Sequence, residues 1–300
     1  MTGQTHPPTS PLKGVLMLIA AMALLPFLDV VAKYLGQAGV PILMIVWARM
    51  AFGVVLTLPF VLAEGGARSL IPDRPQWHLL RAGFLIAATF LFFWSLKTMA
   101  IADALAIFFV QPLIVTALSP LILKERVGLN RWAAVAVGFV GTLIILRPGL
   151  SAFGPGSWLA LGSGISLGCY MLVTRLMKGR TTPVVTMFHT SLMGAILTTA
   201  GVIFVWQAPS LWQWAQFALV GSIATLGHLL ITRAYENAEA SLLAPLAYTE
   251  IVMATVLGWW FFGDLPDGWT ILGVCILIGS AVYISAREGT RQVVGPDEAI

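Results

Sequence analysis

Apolar residues come in blocks of about twenty along almost the whole chain, separated by short polar stretches. A hydrocarbon core about 30 Å thick is crossed by roughly twenty residues of α-helix, so each block has the length of one membrane span. Ten spans are predicted, at 12–35, 41–63, 77–98, 102–122, 129–147, 156–177, 183–205, 213–236, 240–262 and 267–285. The separators carry helix breakers: Gly39-Val40-Pro41, Pro72-Asp73-Arg74-Pro75, Gly128, Pro148-Gly149, Thr182-Pro183, Pro209 and Pro266-Asp267-Gly268. No connection is long enough for a separate domain. The first apolar block runs on to about Leu35, too far for a cleaved leader, and reads as the first span. The expected organisation is a tail at 1–11, halves at 12–147 and 156–285, and a polar tail at 286–300.

One stretch recurs. Asp103 to Arg126 holds about twenty apolar residues with two prolines and a glutamine, and a weaker copy runs from Glu239 to Asp264. The triplets Ala102-Asp103-Ala104 and Ala238-Glu239-Ala240 open them, and Trp-led spans follow from Trp132 and Trp269. Val31-Ala32-Lys33 is echoed by Val173-Thr174-Arg175, and Pro41 by Pro183. Five spans is an odd number, so a second copy enters the membrane upside down. The predicted fold is an all-α integral membrane protein, ten transmembrane helices in two inverted five-helix repeats around a central cavity, as alternating access requires.

The run Ser119 to Trp132 (SPLILKERVGLNRW), its echo Gly258 to Trp269 (GWWFFGDLPDGW) and the five-plus-five layout resemble the drug/metabolite transporter superfamily, EamA-like branch. The resemblance covers about residues 14 to 285. It implies a ten-helix inner-membrane carrier that works without ATP and moves small metabolites such as amino acids, with spans five and ten as peripheral supports. Exporters and importers both occur in the superfamily, so it implies no direction.

Composition agrees with the pattern. The chain is 58% hydrophobic and 10% charged, against about a quarter charged in soluble domains. Its net charge of +4 is spread over short loops, which fits membrane orientation better than nucleic-acid binding. With the N-terminus inside, thirteen Lys and Arg fall inside and three (Lys33, Lys97, Arg147) outside, placing both termini in the cytoplasm of a bacterial-type inner membrane. Cys169 and Cys275 stand alone in apolar spans and read as buried thiols. No cofactor and no metal is expected. The expected partners are a small-molecule substrate, membrane lipids and protons, with the chain a monomer or homodimer.

Ionisable groups at membrane depth are the first functional candidates. Asp29 lies about 25 Å along span one, either a cavity carboxylate or the local partner of Lys33 one turn on. Arg49 lies about 12 Å from the outer end of span two and needs a carboxylate, carbonyls, water or an anionic substrate. Glu250, near the midplane of span nine, is placed to bind and release a proton, or else to bridge to Arg49. Polar stripes at helical spacing run through span six (Ser163, Ser166, Tyr170, Thr174), span seven (Thr186, His189, Thr190) and span eight (Thr225, His228, Thr232, Tyr235). The hydroxyls serve equally as glue between helices. Gln111 and Tyr248 in the two copies, with Trp94, complete the cavity candidates. Pro112 and Pro245 are hinge candidates, because a proline removes one helical hydrogen bond. Glycines 138, 141, 273 and 279 are expected to allow close helix contact, and Trp206, Trp212, Trp214, Trp259, Trp260 and Trp269 to form an interfacial belt.

An amino-acid-like substrate suits Arg49 opposite Asp29 and Glu250. The alternative is a vitamin or nucleoside-type metabolite imported by the same fold. An integral membrane enzyme has only the Asp264/Asp267 pair to offer, a passive channel lacks charged rings, and an ATP-driven pump lacks a Walker sequence.

Overall fold

The computed structural model describes residues 11–124, 128–146, 154–177, 181–238 and 240–293. Arg126, Arg147, Pro148-Gly149, Lys178, Arg180, Glu239 and the chain ends at 1–10 and 294–300 lie outside the described residues. All regular structure among the described residues is helical: α1 Pro11–Gln37, α2 Ile42–Gly65, α3 Pro75–Ser95, α4 Ile101–Phe108, α5 Gln111–Ile122, α6 Leu129–Leu146, α7 Pro155–Leu176, α8 Pro183–Val202, α9 Leu211–Asn237, α10 Ala240–Leu243, α11 Thr249–Phe262 and α12 Gly268–Val293. Prolines set several starts. Pro75, Pro155 and Pro183 each occupy a first turn, where a backbone N–H would have no partner anyway. At α9 a capping box does the same work, with Ser210 accepting from the Gln213 N–H and Gln213 accepting from the Ser210 N–H.

Among the described residues, seven stretches are long and apolar enough to cross a membrane: 11–37, 42–70, 75–95, 101–122, 155–176, 183–205 and 211–237. Three more apolar helices, Val135–Leu146, Leu246–Phe262 and Gly268–Ser280, are shorter. Ten spans were expected, and the difference lies in the last part of each half. In the second copy of the recurring stretch the helix breaks at the 3-10 segment Ala244–Tyr248, which contains Pro245. In the first copy α4 ends at Phe108 and α5 restarts at Gln111. Pro112 therefore falls in the first turn of a new helix, not inside a continuous one. The two breaks touch: Phe109 and Tyr248 stack with centroids 4.8 Å apart.

The helices pack symmetrically. If the second half is laid on the first (α7 on α1, α8 on α2, α9 on α3, α10–α11 on α4–α5, α12 on α6), each main contact has a counterpart. The α1–α9 contact matches α7–α3, α2–α9 matches α8–α3, and α1–α11 matches α7 with α4–α5; α2–α8 and α6–α12 are their own counterparts. Small residues permit the closest approaches. A Cβ on Gly164 would sit 2.7 Å from the Phe108 carbonyl oxygen, and one on Gly168 would sit 3.2 Å from that of Gln111. These two glycines of α7 thus form the bed for the first break. Gly141 and Gly273 face each other's backbone in the α6–α12 pair and Gly138 meets Leu113, whereas Gly279 faces nothing within 4 Å and makes no close contact. The outward faces of α6 and α12 carry exposed Phe139, Val140, Ile271 and Leu272, as lipid contact requires. Trp212, Trp259, Trp260 and Trp269 are exposed near helix ends.

Candidate functional site

The core of the bundle brings α2, α3, α7, α8 and α9 around a void of about 40 Å³, lined by Arg49, Tyr170, Thr190, Ser191, Thr225 and His228 among others. Arg49 donates to Thr89 of α3. Its Nη2 lies 3.1 Å from Nε2 of His228. A guanidinium has no acceptor, so Nε2 of His228 accepts, which leaves the ring proton on Nδ1. Asp29, 6% exposed on α1, lies within electrostatic range of Glu250 and Arg49. Glu250 occupies the first turn of α11. Asp29 on α1 thus stands near a second carboxylate on α11 and a guanidinium on α2, with no ion pair joining them among the described residues.

Two pairings considered from sequence are not made. Lys33 turns away from Asp29: its Nζ lies 2.6 Å from Oδ2 of Asp264, donates to the Met99 carbonyl at 2.9 Å, and sits over the Phe262 ring. Arg49 does not bridge to Glu250; Thr89 and His228 hold it. Asp264 is therefore an ion-pair partner, and Asp267 caps α12 by accepting from the Thr270 N–H.

Arg81, one of the thirteen inside charges and within the predicted span 77–98, lies on α3 with 4% exposure. Its Nε donates to Thr174 (2.8 Å), Nη1 to the Thr186 carbonyl (3.0 Å) and to Thr190 (2.8 Å), and Nη2 to Tyr170 (2.6 Å), whose ring lies under the guanidinium. One planar fork thus ties α3 to α7 and α8. Tyr170, Thr174, Thr186 and Thr190 were legible as polar stripes; their common partner was not, because 89 or more residues separate them from Arg81.

The remaining candidates separate. His189 is 1% exposed but does not reach the void; it packs edge-to-face on His78, centroids 4.7 Å apart. His78 received no role from sequence, since span three was drawn from its neighbour. Tyr248 is buried in the stack between the two breaks. Gln111 opens α5 with its Oε1 buried and unpartnered among the described residues. Trp94 is 47% exposed against Phe90 and lies off the void, because its position on α3 faces outward. Cys275 is exposed and Cys169 half-buried, so neither is the buried thiol expected. A cleft of about 260 Å³ lies where α3 begins and α7 ends, lined by Asp73, Arg74, Trp77, His78, Met177 and Thr181.

The sequence profile of the EamA-like transporter family matches residues 12–147 and 154–286. The chain belongs to the EamA-like transporter family. As a member it is a secondary transporter of a small polar metabolite and a multi-pass membrane protein, not a catalytic domain. The transporter is 28% identical to a riboflavin transporter of Vibrio cholerae over 285 residues, 94% of this chain and 96% of the relative. It is 27% identical to an S-adenosylmethionine uptake transporter of Rickettsia bellii over 260 residues, 87% and 89% of the two chains. A crystal structure of a protein with 19% identity shares the transporter's fold, with a TM-score of 0.65 over 97% of this chain and 100% of the other.

Proposed function

We propose that this transporter imports a vitamin- or nucleoside-type metabolite across the bacterial inner membrane by alternating access between two inverted five-helix repeats, with both termini in the cytoplasm. The relatives named for riboflavin and S-adenosylmethionine favour this reading over the amino-acid-like one. Both compounds join a nitrogen heterocycle to a hydroxylated chain or sugar, and the void offers matching groups. Arg49 and His228 present N–H donors, Ser191 presents a hydroxyl, Thr225 presents a hydroxyl oxygen whose proton goes to the Gly221 carbonyl, and Tyr170 presents a hydroxyl that accepts from Arg81 and keeps its own proton to donate.

The observation that carries the reading is the narrow polar centre. A void of about 40 Å³ holds a water or two and no metabolite, so substrate enters only when helices separate. Exchange of the symmetric contacts α2–α9 and α8–α3 supplies that separation at alternate ends. Asp29 lies within electrostatic range of Arg49 and Glu250, and neither carboxylate has a bonded cation among the described residues, which suits Glu250 to carry a proton during the cycle.

Uptake into proteoliposomes tests this, using labelled riboflavin, S-adenosylmethionine, a nucleoside and an amino-acid pool, with and without an inward pH gradient. Accumulation of one of the heterocyclic compounds is expected, with no competition from amino acids. A folded Glu250→Gln variant should retain exchange but lose gradient-driven accumulation at least tenfold. Amino-acid uptake alone would overturn the substrate class, and undiminished accumulation by the variant would overturn the role of Glu250.

A further inference from the structure

The symmetric contacts at the two ends of the bundle carry different chemistry. Trp47 and His189 each stand six residues after the proline that opens their helices, Pro41 and Pro183. His78 and Trp214 are each the fourth residue of theirs, α3 and α9. Exchange of the halves therefore lays Trp47–Trp214, in the α2–α9 contact, on His189–His78, in the α8–α3 contact. Both pairs are packed edge-to-face, at 6.4 Å and 4.7 Å between centroids. One position of the fold thus holds two indoles at one end and two imidazoles at the other.

At the indole end no ring nitrogen is buried without a partner among the described residues. Trp47 Nε1 donates to Thr199 at 2.9 Å, and Trp206 packs on both other rings. The imidazole end differs. Nδ1 of His78 is buried with no partner among the described residues, and the ring nitrogens of His189 are buried with no well-formed hydrogen bond, only the backbone of Ser69 and Leu70 beside them. An unpaired buried polar atom costs about 1–3 kcal/mol, so this pair is held against a standing penalty that its indole counterpart avoids. Histidine takes up a proton nearer to neutral pH than any other side chain, and burial beside a second imidazole and Arg81 makes the charged form costlier here.

The charged groups facing the pair are few. Arg81 follows His78 on α3 and is engaged by α7 and α8. Asp73, exposed in the α2–α3 connection, is within electrostatic range of both rings, and Arg74 lines the adjoining cleft. Glu64 of α2 bonds to Thr182 at the start of α8, and α7 contributes the neutral Met177 and Thr181 follows it. Water in the cleft of about 260 Å³ beside His78 gives a proton its route.

We propose that His78 and His189 form a proton-binding site that operates the gate at this end of the transporter, the inner end in the orientation given above. The first proton, taken from cleft water, adds to a bare ring nitrogen and makes a donor for the neighbouring ring's acceptor. The second leaves two adjacent cations with Arg81 beside them and only Asp73 to offset them, and α3 and α8 part. The Trp47–Trp214–Trp206 contact, which takes no proton, holds the other end shut. The proposal rests on the alternating-access reading but not on the identity of the substrate.

The test needs no substrate. Spin labels at Gln76→Cys and Pro183→Cys, in a Cys169→Ala/Cys275→Ala background in nanodiscs, report the α3–α8 separation by pulsed electron resonance. Between pH 8 and pH 4 a second distance longer by about 5 Å, one helical turn, should grow in the parent. It should be absent in His78→Phe/His189→Phe and present in Asp73→Asn. Should the double variant not fold, His189→Gln replaces it with the same expectation. A parent with one distance at both pH values overturns the gate, as does a shift that survives loss of the histidines or vanishes in Asp73→Asn. Failure of the uptake assay with this shift intact would sink the substrate class alone.

Discussion

Arg81 shows what a single side chain does in a membrane core. A guanidinium out of water needs its N–H groups satisfied, and here hydroxyls, a carbonyl and a tyrosine supply the acceptors in place of a carboxylate. Lysine would keep the charge but has three donors on one atom and no plane. Arg81→Lys should therefore lower unfolding stability in detergent by about 2–4 kcal/mol, the worth of one or two charge-assisted hydrogen bonds. A chemical-denaturation curve in mild detergent checks it. Nothing in the sequence separates Arg81 from Arg74 or Arg68 except its place six residues into α3, and boundaries are what periodicity fixes least well. Glu250 and Asp29 stand out in the sequence because a carboxylate inside an apolar run is costly, but which groups they face does not. His78 does not stand out, since a histidine at a drawn span end resembles any interfacial residue.

Among elements, the interrupted spans were half legible. Proline announced a disturbance in both copies of the recurring stretch, but only the fold shows the helix restarting so that Gln111 and Pro112 open α5. The bed for that restart is the glycine face of α7. Gly168→Leu would drive a side chain into Ile114 and the Gln111 carbonyl, and overpacking of this kind costs about 1–3 kcal/mol. The expected outcome is a folded but slower transporter, its maximal uptake rate falling several-fold with little change in half-saturation. Gly279→Leu, which meets nothing within 4 Å, should leave the rate unchanged in the same assay. The stripes on α7 and α8 were legible as faces, yet Ser163 spends its hydroxyl on the Ala88 carbonyl (2.6 Å). It acts as a rivet between α3 and α7, not as a cavity group.

At the scale of the whole molecule, Lys33 joins three parts that sequence leaves far apart: α1, the turn after α3 through Met99, and the turn after α11 through Asp264. The half-exposed carboxylate makes the pair modest, so a double-mutant cycle of Lys33→Met and Asp264→Asn should give a coupling of about 1 kcal/mol in stability. Its larger effect should be on shape: each single variant should raise labelling of a cysteine placed at Thr98, read by reactivity with a membrane-impermeant thiol reagent. The repeated halves were legible from landmarks such as Pro41 and Pro183, while their mutual embrace was not, because no local pattern states which helix meets which. That embrace bears on how the protein is made. α1 rests on α9 and α6 on α12, so α1, once made, waits for a partner some two hundred residues behind it. The face that Gly141 offers to Gly273 stays open to lipid until α12 arrives. A nascent chain that stalls before Gly268 is thus a bundle with its final seam unsewn, carrying its own mark of incompleteness for a membrane protease to read.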